Sequence, residues 1–233
     1  MIGTGYILIF LLFVVFSWIV GARLKSKFKQ YSKLPLNYSI SGKEVAEKML
    51  HENGIHDVKV VSVQGQLSDH YNPANKTVNL SLDVYQGRSI AAAAVAAHEC
   101  GHAIQHAKAY SMLQFRTALV PIQNISSKII NVIFTLMFFG VFAFNFINLD
   151  IALYLIIACY GIFTLFAFIT LPVEIDASNR ALMWLNSAGI TGYGTHEKAK
   201  DALKWAAYTY VVAALSSLAM LLYFVFMLLG RRD

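Results

Sequence analysis

Four runs without a charged residue dominate the pattern of apolar and polar positions along the chain. They cover residues 1 to 22, 129 to 149, 151 to 173 and 205 to 230. A helix of about 20 apolar residues crosses the roughly 30 Å of hydrocarbon in a bilayer, and each run reaches that length. The pattern therefore predicts four transmembrane helices, of which the middle two form a hairpin around Asp150.

The first run is expected to be an uncleaved membrane anchor. No positive residue precedes its apolar core and no A-x-A cleavage site follows it, which argues against a signal peptide. Its basic flank lies on the C-terminal side, between Arg23 and Lys33. The positive-inside rule then places residues 23 to 128 and 174 to 204 in the cytoplasm. The C-terminal Arg231 and Arg232 are the one feature that disagrees with this orientation.

The pattern changes between residues 23 and 128 to one typical of a small α/β unit. Ser41 and Glu44 match a capping box that starts a helix of about three turns, and Gly54 fits its end. Residues 58 to 63 and 76 to 82 alternate like two strands. The second strand is expected to be ordinary sheet structure or an edge that pairs with an extended peptide.

A further helix is predicted over residues 91 to 107, "AAAAVAAHECGHAIQHA", with Ser89 as its N-cap. Successive helical residues lie about 100° apart, so His98 and His102 point the same way within about 40°. Glu99 lies on the adjoining flank. These residues form the H-E-x-x-H motif, in which two imidazoles bind one zinc ion and the glutamate holds a water molecule. The alternative is a pair of purely structural histidines.

Composition places this motif in a membrane protein. The chain has 233 residues, 57% hydrophobic and 14% charged, with a mean hydropathy of +0.54, whereas soluble domains have roughly 25% charged residues. The net charge of +6 arises in residues 23 to 128 and predicts attraction to a bilayer with anionic headgroups. We find no nucleic-acid-binding motif and expect no such partner.

The two cysteines are predicted to stay free thiols. Cys100 lies inside the motif and Cys159 inside the third apolar run, so both belong to cytoplasmic or lipid surroundings. Cys100 is expected to be a small packing residue.

A catalytic zinc site needs a third protein ligand and an open fourth position. The long motif H-E-x-x-H-x-x-G-x-x-H is excluded, because the chain has Gln105 and Lys108 at its last two fixed positions. His106 is rotated by about 80° from His98 on a straight helix. It is therefore expected to contact a ligand residue or to face solvent.

The other cytoplasmic segment, "LPVEIDASNRALMWL", offers two carboxylates directly after the third apolar run. Pro172 is expected to end that span and start a new helix, with Glu174 in its first turn. Glu174 is our candidate for the third ligand and Asp176 is the reserve. The alternative for Glu174 is a favourable charge at a helix N-terminus.

Three blocks of the chain closely resemble the bacterial YugP-like neutral zinc metallopeptidases, which are membrane-embedded. They are the block from "LSDHYNPAN" through "HECGHAIQHA", "LPVEIDASNRAL" and "AKDALKWAAYTYVVAAL". The layout is more distantly similar to the HtpX and CAAX prenyl protease gluzincins. The resemblance implies that His98, His102 and Glu174 bind zinc and that Glu99 is the catalytic base. The HtpX pattern has an acid four positions after the glutamate, whereas this chain has Ser178 there and Asp176 nearby.

The sequence thus predicts a mainly α membrane protein with about four transmembrane helices and a small cytoplasmic α/β zincin-like metalloprotease domain. We expect one Zn²⁺ per chain, peptide or membrane-protein substrates, and a location in the bacterial plasma membrane with the active site on the cytoplasmic side. Arg180 and Tyr210 are candidates to stabilise the oxyanion, although lipid, carboxylate or interface contacts also explain them. The alternatives are an intramembrane metalloprotease, disfavoured by the short apolar run before His98, and a non-catalytic metal-binding scaffold or transporter.

Overall fold

The structure is a computed structural model and describes residues 4–36, 39–139 and 149–230. It is mainly helical, with one small sheet, which confirms the coarse fold prediction. The helices are α1 (Thr4–Tyr31), α2 (Gly42–Glu52), α3 (Leu82–Tyr85), α4 (Ile90–Ala107), α5 (Ser111–Phe138), α6 (Leu149–Ser187) and α7 (His196–Leu229). The strands are β1 (Lys59–Val63), β2 (His70–Asn72) and β3 (Thr77–Ser81).

Four of the described helices, α1, α5, α6 and α7, are long and apolar enough to cross a membrane. They correspond to the four charge-free runs of the sequence. Helix α5 begins at Ser111, well before the run that starts at residue 129. Residues 140 to 148 of that run, and Arg231 and Arg232, lie outside the described residues.

The prediction that Pro172 starts a new helix is wrong. Pro172 lies inside α6, which is a continuous helix of 39 residues. Proline removes one backbone donor, but apolar helices tolerate it where neighbouring groups satisfy the freed backbone. Glu174 is therefore a mid-helix residue, and its interpretation as a helix N-terminal charge no longer applies.

The chain divides into two compact units. The first contains Met1–Ile19, Phe115–Leu171 and Thr209–Asp233. Its buried core combines aliphatic and aromatic side chains, among them Ile130, Leu153, Ile156 and Phe224. Large apolar residues such as Trp18 on α1 stay exposed, as expected of helices whose outer face contacts lipid.

The second unit contains Val20–Gln114 and Pro172–Tyr208. Helix α4 lies at its centre and packs against α2, α3 and the sheet. The alanine run at the start of α4 is almost completely buried, because small side chains allow neighbouring elements to approach closely. Both predicted helix starts are confirmed: Ser41 and Glu44 form a reciprocal capping box, and the Ser89 side chain caps α4 by accepting from the Ala92 amide.

The sheet has the strand order β1-β3-β2. Strand β1 pairs in parallel with β3, and β2 pairs antiparallel with it, with Tyr71 opposite Val78. Both predicted strands are present. However, the second one, β3, is the central strand, so of its two interpretations ordinary sheet structure holds and an edge that pairs with an extended peptide does not. The edge on that side is β2, which sequence patterning missed because it is only three residues long.

Candidate metal centre

Two imidazoles project from one face of α4. His98 and His102 are one turn apart, with ring centroids separated by 4.8 Å and ring planes inclined by 84°. Both side chains are mostly buried. The helical spacing that the sequence predicted is therefore realised.

Glycine at position 101 lets α6 approach this face of α4. A Cβ atom on Gly101 would lie 2.6 Å from the carbonyl oxygen of Ala177, which is shorter than side-chain atoms tolerate. Only a residue without a side chain fits between the two helices at this point. The close approach brings Glu174, one turn before Ala177, to the two histidines.

The three ligand candidates meet at the Glu174 carboxylate. Its Oε2 atom lies 3.3 Å from His98 Nε2 and 3.5 Å from His102 Nε2. One ligand atom from each residue falls within 4.8 Å of the other two. In a tetrahedral zinc site with bonds of about 2.1 Å, neighbouring ligand atoms lie about 3.4 Å apart, so the spacing fits zinc.

The environment of Glu174 also fits a cation. The residue is 3% exposed, and its Oε2 atom accepts no hydrogen bond from any residue that the structure describes. A buried carboxylate oxygen without a partner is costly unless a positive charge compensates it. Burial lowers the pKa of His102, but the Glu174 carboxylate outweighs this effect and the net shift is upward. The same negative charge favours a divalent ion between the imidazoles.

The Nδ1 atom of each histidine, on the far side of the ring from Glu174, has a polar neighbour. A histidine that binds metal through Nε2 carries its proton on Nδ1. His98 Nδ1 lies 3.1 Å from Ser178 Oγ, and His102 Nδ1 lies 3.0 Å from Gln105 Oε1. Both partners are neutral, and each can accept the Nδ1 proton.

Gln105 connects His102 to α6. Its side chain is completely buried, and its Nε2 group donates to Val173 O at 2.7 Å and to Asp176 Oδ2 at 2.8 Å. These two acceptors orient the amide so that Oε1 faces His102. Sequence reasoning considered Gln105 only as a departure from a longer motif. The signal that would have found it is an amide three positions after a ligand on a buried helix face.

Glu99 is placed beside the ligands by α4 and held by strand β2. The side chain is 8% exposed, and its Oε2 atom accepts a hydrogen bond of 3.0 Å from the Tyr71 amide. A second carboxyl group, Asp69, lies close enough to interact with it. Burial raises the pKa of Asp69, which accepts hydrogen bonds from the amide and hydroxyl of Ser81.

The remaining predicted residues lie outside the group of three. Asp176, the reserve ligand, accepts hydrogen bonds from Gln105 and, at 2.6 Å, from Arg180 Nε. His106 is exposed, and its Nδ1 lies 3.0 Å from the Tyr71 hydroxyl. Tyr210 belongs to the first unit, and its role as an oxyanion donor stays a prediction.

Cys100 occupies the opposite side of α4 from the ligands. Its buried thiol contacts the Ala46 carbonyl oxygen at 3.6 Å, and burial raises the pKa of the thiol well above its usual value. Both cysteines are free thiols, as predicted. Cys100 is therefore a packing residue and not a ligand.

Comparison with known proteins gives two matches. A family model described as "Putative neutral zinc metallopeptidase" matches residues 6–229. The "Putative membrane protease YugP" of Bacillus subtilis (strain 168) is 41% identical over 211 residues, which cover 91% of this chain and 91% of that protein. No solved structure matches the chain. The family match includes His98, Glu99, His102 and Glu174.

Proposed function

The chain belongs to the neutral zinc metallopeptidase family, and from this premise we propose that it is a membrane-embedded endopeptidase that hydrolyses peptide bonds of membrane-associated proteins or peptides. The resemblance to the YugP-like neutral zinc metallopeptidases is thereby confirmed, whereas the more distant likeness to the HtpX and CAAX prenyl protease group stays a prediction. The observation that carries the proposal is the convergence of His98, His102 and Glu174 on one point, with the Glu99 carboxylate held beside them.

His98, His102 and Glu174 would hold one zinc ion per chain through two imidazole nitrogens and a carboxylate oxygen. Two histidines and a glutamate would form a ligand set of the gluzincin type, which would leave a fourth position for water or substrate. The bound ion would supply Lewis acidity, which activates a water molecule and polarises the scissile carbonyl.

Glu99 acts as the general base and then as the general acid. It takes a proton from the attacking water and delivers it to the departing amine. The hydrogen bond from the Tyr71 amide fixes one carboxylate oxygen and leaves the other to handle the proton. Because this donor is a backbone group, the position of Glu99 depends on strand β2 and not on a second side chain.

Stabilisation of the tetrahedral oxyanion requires a donor besides the metal. Arg180 donates through Nε to Asp176, while the rest of its guanidinium provides further N–H groups. Within the second unit, Arg180 is our candidate for this role.

We place the site on the cytoplasmic side of a bacterial plasma membrane. The support for this orientation is the basic flank behind the first apolar run, from Arg23 to Lys33. A site next to the membrane surface favours substrates that are membrane proteins, or peptides bound to the membrane.

A non-catalytic metal-binding scaffold or transporter is the second candidate. It would use the same three ligands, but it has no need for a carboxylate base. Glu99 is mostly buried, and retaining an anionic side chain there costs free energy. This observation favours the hydrolase.

The test combines zinc content with cleavage of a membrane-protein substrate pool by detergent-purified protein. We expect one zinc per chain in wild type and Glu99→Gln, much less in Glu174→Ala, and cleavage by wild type alone. Glu47→Gln, which changes an exposed glutamate paired with Lys43, is the matched control and should behave like wild type. Full turnover by Glu99→Gln would exclude Glu99 as the base. Full zinc retention by Glu174→Ala would exclude Glu174 as the third ligand and favour Asp176.

A further inference from the structure

A basic cleft in the second unit is separate from the metal-ligating residues. It has a volume of about 540 Å³ and is lined along one wall by Lys25, Lys29 and Lys33, with Phe28 and Ser32 between them. The volume falls in the range of small-molecule sites, about 300 to 1,000 Å³. None of these residues takes part in the chemistry proposed above.

The three lysines bring like charges to one side of the cleft. Lys25 and Lys29 are spaced i, i+4 on α1, an arrangement that destabilises a helix when the charges are alike. No described carboxylate lies within ion-pair distance of any of the three. By contrast, Lys27 on the same helix binds Asp201 at 2.7 Å. Lys25, Lys29 and Lys33, in contrast, form no such pair with a described residue and line the cleft.

The rest of the lining comes from other segments and is polar. It comprises Gln66, Asp83, Gly87 and Ser89. Gly87 has no room for a side chain, because a Cβ atom there would lie 2.2 Å from the Asp83 carbonyl oxygen. With three lysines and one aspartate, the lining favours an anion whose neighbouring hydroxyl or amine groups can donate to Asp83.

We propose that this cleft binds a phosphate group, with the lysines as its cationic partners. The source that the chain favours is an anionic lipid headgroup such as that of phosphatidylglycerol. The lysines follow immediately after the charge-free run of residues 1 to 22, and lysines just beyond a membrane span lie at headgroup depth. The headgroup glycerol supplies the donors that suit Asp83. A soluble phosphate compound offers the same anion without the membrane.

The test uses the full chain in nanodiscs of phosphatidylcholine mixed with phosphatidylglycerol, followed by native mass spectrometry of retained lipids. Each lysine near an anionic headgroup contributes about a factor of five. A triple variant should therefore weaken phosphatidylglycerol retention on the order of 100-fold. It combines Lys25→Gln, Lys29→Gln and Lys33→Gln. The matched control replaces three exposed lysines outside the cleft, Lys48, Lys59 and Lys200, by glutamine and has the same net charge. It should retain the lipid like wild type.

A second arm titrates inorganic phosphate by calorimetry into protein in phosphatidylcholine nanodiscs. If phosphate binding depends on the cleft lysines but phosphatidylglycerol retention does not, the cleft is supported and the ligand is a soluble phosphate. Equal losses in the cleft and control variants, or no binding in either arm, would overturn the proposal. Should the triple variant lose its zinc or its fold, Lys29→Gln alone should still weaken retention about fivefold.

Discussion

Among the described residues, the buried polar side chains of the first unit are Ser126, Thr164 and Thr170, whereas the second unit buries two glutamates and a glutamine. The first unit contains a core of aliphatic and aromatic side chains. The second contains an alanine-rich core in which polar groups are connected across helices. In hydrocarbon an unpaired polar group costs several kcal/mol. Thr170 is tolerated there because its hydroxyl donates to the Phe166 carbonyl oxygen of its own helix at 2.8 Å, while carboxylates need partners from other elements.

The difference shows that stability and chemistry depend on different kinds of residue in the two units. Stability of the first unit depends on the packing of individual large side chains. Chemistry in the second depends on small residues and hydrogen bonds that set the distance between α4 and α6.

The largest effect on stability is expected for Phe224→Ala in the first unit. Phe224 is 3% exposed and packs against the rings of Tyr6 and Tyr160. Truncating a buried phenylalanine lowers the free energy of unfolding by about 3 kcal/mol. Zinc content per folded chain should not change. Phe226→Ala is the control, because Phe226 is 65% exposed. Unfolding in detergent measures stability, and elemental analysis measures zinc content. Zinc loss in Phe224→Ala without destabilisation would contradict the proposed independence of packing and metal binding.

Gly101→Ala should affect both stability and metal binding. The added methyl group meets the backbone of Ala177, so α4 and α6 must move apart at a cost of about 1 to 3 kcal/mol. The movement withdraws Glu174 from the histidines and should weaken zinc binding measurably in a chelator competition. Gly21→Ala is the control, because nothing lies within 4 Å of the new methyl group. It should neither destabilise the protein nor weaken zinc binding. Unchanged zinc affinity in Gly101→Ala would mean that the helices tolerate the closer contact.

Gln105→Leu should weaken zinc affinity with a smaller effect on the fold. The substitution removes the acceptor for His102 Nδ1 and both donors to α6, while keeping a side chain of similar size. Loss of such a partner typically costs 10- to 100-fold in metal affinity. Exposed Gln114→Leu is the matched control. If the two variants bind zinc equally, Gln105 has only a packing role.

Ser178→Ala should give the smallest loss of zinc affinity. We expect about tenfold, the lower end of the range for losing a hydrogen-bond partner of a metal ligand. The hydroxyl makes a single contact, to His98 Nδ1, and water can replace it. Ser187→Ala on the same helix, whose hydroxyl bonds to the Trp184 carbonyl oxygen, should leave zinc affinity at the wild-type value. A Ser178→Ala loss larger than that of Gln105→Leu would reverse the order proposed for the two histidine partners.

Much of the first unit could be predicted because hydropathy acts locally. A run without charges specifies a membrane-crossing helix whatever surrounds it. The helix pattern around His98 and His102 was equally local, and Glu174 was found because it is the first carboxylate after the third apolar run. The capping box of Ser41 and Glu44 is a contact between residues three positions apart.

What the sequence did not reveal depends on contacts between distant segments. Pro172 was expected to end a helix, yet α6 continues through it. Strand β2 has three residues and exists only through pairing with β3. Likewise, Gln105 contacts residues about 70 positions away, so no local pattern identifies its partners.

The burial of Cys100 has a practical consequence for studying this protein in solution. The chain has two cysteines, and both thiols are buried. Thiol-reactive labels attack the accessible thiolate, so neither native cysteine should react while the protein is folded. A cysteine introduced at an exposed position of the basic cleft, as in Lys29→Cys, would become the single labelling site. A fluorophore or spin label could then report on the cleft without first removing the native cysteines.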